Sequence, residues 1–487
     1  MLDKLKHKKD TISGIKWTIL DQIISQIVVF GLGILLMKLI SPLEFGLLAM
    51  VTVFSGFLTV FKDFGLGSSL IQKKEIQKKE IDTIYWTTVG LGLFLTILLI
   101  VLAPVISKYY NEPRLLEITL ALSSLFIIQS FSSVQMSFAK KQMNFKLIFQ
   151  VNTIAVLISG SIAFVLAFSG FGVWALVIQQ IIAELLRSFA FYVLSNYKPK
   201  LIWDKNILKP HVKFSLPLVG MGSINYWSRN ADNFFIGKFL GAELLGIYSR
   251  SYSIMMLPIS RISGVLSSVL FPSLSLIQDD KSRIISVFLR VTRTISFITF
   301  PLMAMVALGA KDFVILVLGP EWIQMIPVLQ ILASVGALQS LGTLNGNIFL
   351  VKDRTDLAFK INIFNSGVYV IGFYFSSQHS LVLLSQVYLA LNFFLMFINW
   401  HLVENILEIK FLTLTKNVLF VFVNYLVVLC IGFYFLLPFL EIWCNSNLIN
   451  LVFIFFYIIF LWLGIYFIFK INDLKEYVKF IRDAFTK

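Results

Sequence analysis

Apolar runs of about twenty residues recur along the whole chain, separated by short polar stretches. A helix of that length crosses ~30 Å of hydrocarbon. The runs fall at approximately 15–37, 45–61, 84–106, 115–137, 148–168, 172–194, 214–236, 245–271, 294–309, 323–350, 358–375, 381–403, 417–437 and 448–469. The pattern therefore predicts an all-α integral membrane protein with about fourteen transmembrane helices. The two longest runs, 245–271 and 323–350, each carry an internal polar or proline interruption.

The polar breaks repeat. "MKLISPLEFGLLAM" (Met37 to Met50) aligns without a gap on "GKFLGAELLGIYSR" (Gly237 to Arg250), placing Lys38 over Lys238 and Gly46 over Gly246. The first joins spans one and two, the second spans seven and eight. A further echo pairs "SSLIQKK" at Ser68 with "SLSLIQDDK" at Ser273. The expectation is two six-span lobes in the same orientation, residues 1–194 and 214–403. A basic cytosolic linker at 195–213 joins them, and two appended spans with a tail occupy 404–487. Parallel repeats of this kind are a transporter arrangement, with the substrate site between the halves. The matched turns read either as hinge or gate points, one per lobe, or as plain tight turns.

Charge orients the spans. Of the 41 Lys and Arg, 32 fall in the tails and loops of one side and only five in loops of the other. By the positive-inside bias, both termini are cytosolic. The composition agrees: 58% apolar, 14% charged, mean hydropathy +0.85. The net charge of +15 reads as orientation signal and contact with acidic lipid heads, so nucleic acid is not implied as a partner. The basic start "MLDKLKHKKD" resembles a signal peptide. The run after it carries Asp21, Gln22 and Gln26 and lacks a small-residue cleavage site, so it reads as an uncleaved first span. Cys430 and Cys444 form no C-x-x-C pair and the four histidines are scattered, so no metal, redox or cofactor role is expected. No ATP-cradling glycine loop is present.

A charged side chain within a span costs ~3 kcal/mol or more and normally faces a partner or a watery cavity. In span seven, Asn225, Arg229, Asp232 and Asn233 share a helix face. In span eight, Arg250 and Arg261 share a face and have no acidic neighbour at helical spacing. Gln180, Glu184 and Arg187 stack in span six, and Asp21 with Ser25 and Gln22 with Gln26 pair at i, i+4 in span one. Glu184 with Arg187, and Arg229 with Asp232, can also be local ion pairs. Surplus arginines suit phosphate oxygens, and the amides of Gln22, Gln26, Gln179, Gln180, Asn225 and Asn233 suit sugar hydroxyls. The expected ligand is therefore phosphate, sugar and hydrocarbon together. Asp21, Asp232 and Glu184 are the candidate coupling carboxylates.

"LISPLEFGLLAMVTVFSGFLTVFKDFGLGSSLIQKK", "GFGVWALVIQQ", "SRNADNFFIGKFLGAELLGIYSRSY", "SSVLFPSLSLIQDD" and "LGPEW" resemble the polysaccharide-transporter (oligosaccharide flippase, Wzx or WzxC-like) family of the MATE-like MOP superfamily. The resemblance runs from about Ile15 to Lys360 and is most specific from "SRNAD" through "IQDD". It implies two six-helix lobes around a V-shaped cavity in a bacterial cytoplasmic (inner) membrane. It also implies a flippase, with no covalent chemistry. Such a protein moves a polyprenyl-diphosphate-linked oligosaccharide to the outer leaflet by alternating access, for O-antigen, capsule or exopolysaccharide assembly. Its partners would be that lipid-linked substrate, membrane lipids and polysaccharide polymerase machinery. The alternatives are a MATE-type multidrug or cation antiporter, a peptidoglycan-precursor flippase, and a glycan polymerase or ligase. The last would need a large outer loop, and the longest here is only about a dozen residues.

Overall fold

Short polar residues begin several of the helices. Gln77 and Glu80 form a capping box, while the side chains of Asn144, Asp204, Asp280 and Ser380 accept from backbone N–H groups of the first turns they precede. In the computed structural model, residues 28–470 are described apart from 74–75, 196, 276, 279 and 445; side chains at 261–269 and 271–273 are also outside the description. The helices are α1 (Val28–Leu39), α2 (Pro42–Thr59), α3 (Leu66–Gln72), α4 (Lys78–Tyr110), α5 (Arg114–Lys141), α6 (Phe145–Phe168), α7 (Val173–Leu194), α8 (Lys205–Phe239) and α9 (Gly241–Ser275). They continue with α10 (Lys281–Leu308), α11 (Ala310–Phe313), α12 (Met325–Gly342), α13 (Asn345–Val351), α14 (Thr355–Ser376), α15 (Leu381–Leu407), α16 (Thr413–Ile431), α17 (Leu437–Trp443) and α18 (Asn447–Phe469).

Among the described residues, ten helices are long and apolar enough to cross a membrane. The protein is a multi-pass membrane protein of all-helical fold. The figure of fourteen rests additionally on α1, α8, α9 and α14. The first of these is described only from Val28, and α8 is interrupted by Pro210, Pro217 and the polar run around Arg229. A single helix shows what a lipid-bathed fold requires. On α4, Leu95, Leu99, Ala103 and Ile106 are buried, while Phe94, Ile97, Val101 and Val105 are exposed. Both stripes are apolar, as they must be when one meets protein and the other hydrocarbon.

The chain divides into two compact units, Met1–Gly246 and Ile247–Lys487, with the division six residues into α9. In the first unit α4 packs on α5, α5 on α7 and α7 on α6, and α8 lies against α2, α3 and α4. The segment before α8 is fastened along α4. Tyr197 donates to Asp82, whose Oδ1 also accepts the Lys200 N–H at 3.0 Å, and Trp86 Nε1 donates to the Lys200 carbonyl at 2.8 Å. The helix then starts at Lys205, so half of the stretch read as a linker is helical. In the second unit α10 packs on α12 and α16, and α18 returns onto α10, where Phe297 meets Tyr466 edge-on at 4.8 Å.

The sequence echo conceals a structural difference. α9 runs unbroken for 35 residues, but α2 stops at Thr59 and the chain turns through Lys62–Gly65 before α3. Gly65 has φ of 70°, where a Cβ would be strained, and Asp63 Oδ1 closes the turn on the Gly65 N–H at 3.0 Å.

Candidate functional site

The aromatic side of α8, next to its polar face, is packed on an aromatic bed. Phe57 lies 5.4 Å from Trp227, Phe54 lies 6.0 Å from Phe234, and Phe234 stacks on Tyr109 at 5.1 Å. The Tyr226 hydroxyl donates to the Val53 carbonyl at 2.7 Å; Gly56 leaves the room, since a Cβ there would stand 2.6 Å from that oxygen. Lys238 donates to the Tyr109 carbonyl with its ammonium over the same ring. One side of α8 is thus fixed to α2 and to the end of α4. This placement decides the fate of the four polar residues. Asn225 and Arg229 are exposed, Asn233 is half-buried, and Asp232 is buried. Asp232 Oδ1 accepts the Asn233 N–H at 2.8 Å, and the Asn233 Oδ1 is buried without a hydrogen-bond partner. The Arg229 side chain makes neither a hydrogen bond nor an ion pair among the described residues, so the local Arg229–Asp232 pair that the spacing permits is not formed.

On α7 the other local pair does form: the Arg187 guanidinium donates to Glu184. Gln180, one turn away, is half-buried. Sequence reasoning missed what stands beside them. Lys62, in the turn after α2, is half-buried, and Glu184, Asp63, Arg187 and Lys140 all lie close enough to act on its charge. Burial pushes its ammonium below the ordinary lysine range, against the opposite pull of the two carboxylates. The charges that act on Lys62 are two cations, Arg187 and Lys140, and two carboxylates, Asp63 and Glu184, so with Lys62 itself three positive charges stand against two negative. The lysines of this stretch read as orientation signal, and nothing in their spacing distinguishes Lys62 from Lys73 or Lys79.

The matched turns meet in the first unit. A Cβ built on Gly46 would overlap the Ala242 carbonyl, and one built on Gly246 would overlap the Pro42 carbonyl. Pro42 and Ala242 are themselves equivalent positions of the two repeats, so the contact is reciprocal, backbone against backbone. Beside it, Glu44 accepts the Val173 N–H at 2.7 Å and reaches Arg114 at 3.3 Å, joining the start of α2 to α5 and α7.

Arg250 is half-buried on α9 in the second unit. Arg261 lies on the same helix with its side chain outside the described residues, and Asp21, Gln22 and Gln26 precede the described residues altogether. The structure therefore gathers the candidates into sets on α7 and α8 of the first unit.

Three comparisons fit this architecture. Residues 35–327 match the family described as polysaccharide biosynthesis protein. The chain is 30% identical to the lipopolysaccharide biosynthesis protein WzxC of Escherichia coli (strain K12), over 74% of each chain. It is 29% identical to the teichuronic acid biosynthesis protein TuaB of Bacillus subtilis (strain 168), again over 74% of each. Among solved structures, the lipid II flippase MurJ in its inward closed conformation superposes with a TM-score of 0.74 at 14% identity, covering 93% of this chain and 99% of that one. That likeness extends the fold to nearly the whole length, beyond the residues the family match reaches. By the extent of the family match and the identity to WzxC, the chain belongs to the polysaccharide biosynthesis protein family.

Proposed function

We propose that the chain is a flippase for polyprenyl-diphosphate-linked oligosaccharides, working by alternating access in a bacterial cytoplasmic membrane with both termini cytosolic. The two relatives are named for lipopolysaccharide and for teichuronic acid, polymers of different sugars. A multi-pass membrane protein that serves both syntheses is best placed at a step independent of the sugar, passage of a lipid-borne unit across the bilayer. The fold likeness to MurJ supports a transporter, and the repeat supports two six-helix lobes, 1–194 and 214–403, that rock about a site between them.

The observation that carries the reading is Arg229, a permanent cation far inside a 35-residue helix, exposed and without an ion pair. A guanidinium at that position is left to bind an anion that comes and goes. Its planar fork replaces water on diphosphate oxygens through paired charge-assisted hydrogen bonds. By residue type, Arg250 and Arg261 would serve the phosphates in the same way, and Asn225, Asn233, Gln180, Gln22 and Gln26 would suit the hydroxyls of the glycan. Asp232, Glu184 and Asp21 are the groups that would exchange a proton or cation in a coupled cycle. The product is what polymerase machinery on the outer face consumes.

The test is complementation of a deletion strain. Arg229→Ala and Arg250→Ala should insert at the wild-type level yet stall surface glycan, with lipid-linked precursor accumulating inside. Full surface glycan from the double variant would remove these arginines from the mechanism. Restoration of drug resistance in place of glycan would show an antiporter.

A further inference from the structure

We propose a phosphate-binding subsite at the lysine-rich end of the first unit, formed by Lys62 after α2, Arg187 on α7 and Lys140 near the end of α5, with Glu184 filling the anion's place when it is empty. The subsite deepens the transport reading and rests on it: it is where a phosphate ester of the incoming lipid would be held before the arginines of the transport path engage it.

Two donors here lack acceptors. Lys62 is half-buried, and its ammonium makes no hydrogen bond or ion pair among the described residues. The Arg187 Nε is buried and has no hydrogen-bond partner, although the same guanidinium donates from its Nη1 to Glu184. Buried charged donors are ordinarily satisfied, so a donor left over marks a missing acceptor. The local charge points the same way. Three cations face two carboxylates, and one of these, Asp63, is already spent on closing its own turn through the Gly65 N–H. Glu184 is the only acid of the set left to serve both Lys62 and Arg187, and it is pinned to one of them.

The backbone puts these groups in reach of each other. α2 packs on both α5 and α7. Ser132 on α5 and Ser188 on α7 lie 3.1 Å apart, and Ser188 Oγ donates to the Ile128 carbonyl at 2.7 Å, so the two helices are locked side by side just where Glu184 and Arg187 project. Lys62 is brought in because α2 ends early. Had α2 continued as α9 does, the residue would lie on a straight helix; the turn closed by Asp63 and Gly65 carries it off the helix axis instead. The difference between the repeats thus acquires a purpose. A phosphate oxygen entering here would accept from Lys62 and from the Arg187 Nε, releasing Glu184 from its role as stand-in. A tetrahedral dianion matches an ammonium and a guanidinium better than one carboxylate can.

The full chain in phosphatidylcholine nanodiscs, probed with inorganic pyrophosphate by calorimetry, tests this. Lys62→Gln and Arg187→Gln should weaken binding at least tenfold. Glu184→Gln should tighten it severalfold, a gain that misfolding cannot imitate. Lys108→Gln, on the last turn of α4, should leave it unchanged. Competition separates the sources: phosphatidylglycerol at tens of mole per cent abolishing the signal would identify a bulk headgroup, and polyprenyl phosphate doing so at about one per cent would identify the carrier lipid. Pyrophosphate binding indifferent to both Lys62→Gln and Glu184→Gln would overturn the subsite. If the variants behave as stated while the deletion strain keeps its surface glycan, the subsite stands and the transport reading falls. If deletion abolishes surface glycan while binding is the same in every variant, the transport reading stands and the subsite falls.

Discussion

A half-buried ammonium without a hydrogen bond loses more hydration than its surroundings restore, and Lys62 is in that position. The fold tolerates it, as folds tolerate strained groups where binding needs them. Its lowered pKa fixes the sign of the effect on stability. Between that value and the ordinary 10.5, the unfolded chain holds a proton that the folded chain has released. Stability therefore rises with pH across this window, and the penalty is fully present at neutral pH. Lys62→Met should accordingly raise the melting temperature of the ligand-free protein at pH 7, by roughly 1–2 °C for each ~1 kcal/mol relieved in a chain of this size. The advantage should shrink as pH climbs toward 10.5, and a variant less stable than wild type at pH 7 would refute the account. Glu80 is the contrast. It is buried, bonded to Lys73, and 2.9 Å from His211, whose other nitrogen meets Ser69 at 2.8 Å. Removing one member of so closed a set leaves the others unpaired, so Glu80→Gln should destabilise by about 3 kcal/mol in chemical denaturation. In the sequence Lys62 and Lys73 are both simply loop lysines, because burial and missing partners are properties of packing and leave no mark on spacing.

At the scale of elements, the repeated turns were legible and their meeting was not. The alignment of Gly46 on Gly246 identified a shared backbone requirement, but a single helix cannot reveal what approaches it. The helix pair Glu184–Arg187 could be read from an i, i+3 spacing because both residues belong to one turn pattern. Arg229–Asp232 has the same spacing and does not pair: the aspartate is buried and the arginine is exposed, a difference in burial that spacing does not carry. Alanine ordinarily stabilises a helix by ~1 kcal/mol over glycine. At this crossing the order should invert: Gly46→Ala and Gly246→Ala should each cost roughly 2 kcal/mol, since the obstacle is a main-chain carbonyl that no rotamer change can move. One separation of α2 from the start of α9 relieves both overlaps. The double variant should then lose clearly less than the sum of the single losses, and strict additivity in the mutant cycle would show that the two contacts are independent.

For the whole molecule, the apolar runs fixed the class of fold because length and hydropathy are what a bilayer selects. The number of crossings was harder to read, since α8 is interrupted by Pro210, Pro217 and the polar run around Arg229, which lowers the hydropathy by which a crossing is recognised. Orientation rests on where lysines and arginines fall, and it can be checked directly. With Cys430 and Cys444 replaced by serine, a cysteine at Gln378, in the exposed turn between α14 and α15, should react with an impermeant maleimide on intact cells. One at Lys410, between α15 and α16, should react only after permeabilisation; the opposite pattern would invert the topology. The crossing of α2 with the start of α9 reaches beyond any one experiment. Each glycine there is held small by a carbonyl from the other of the two matching turns, so neither position can be enlarged without displacing the other. Related chains should therefore carry small residues at both positions or enlarge both together, one steric constraint shared by two distant points of the sequence.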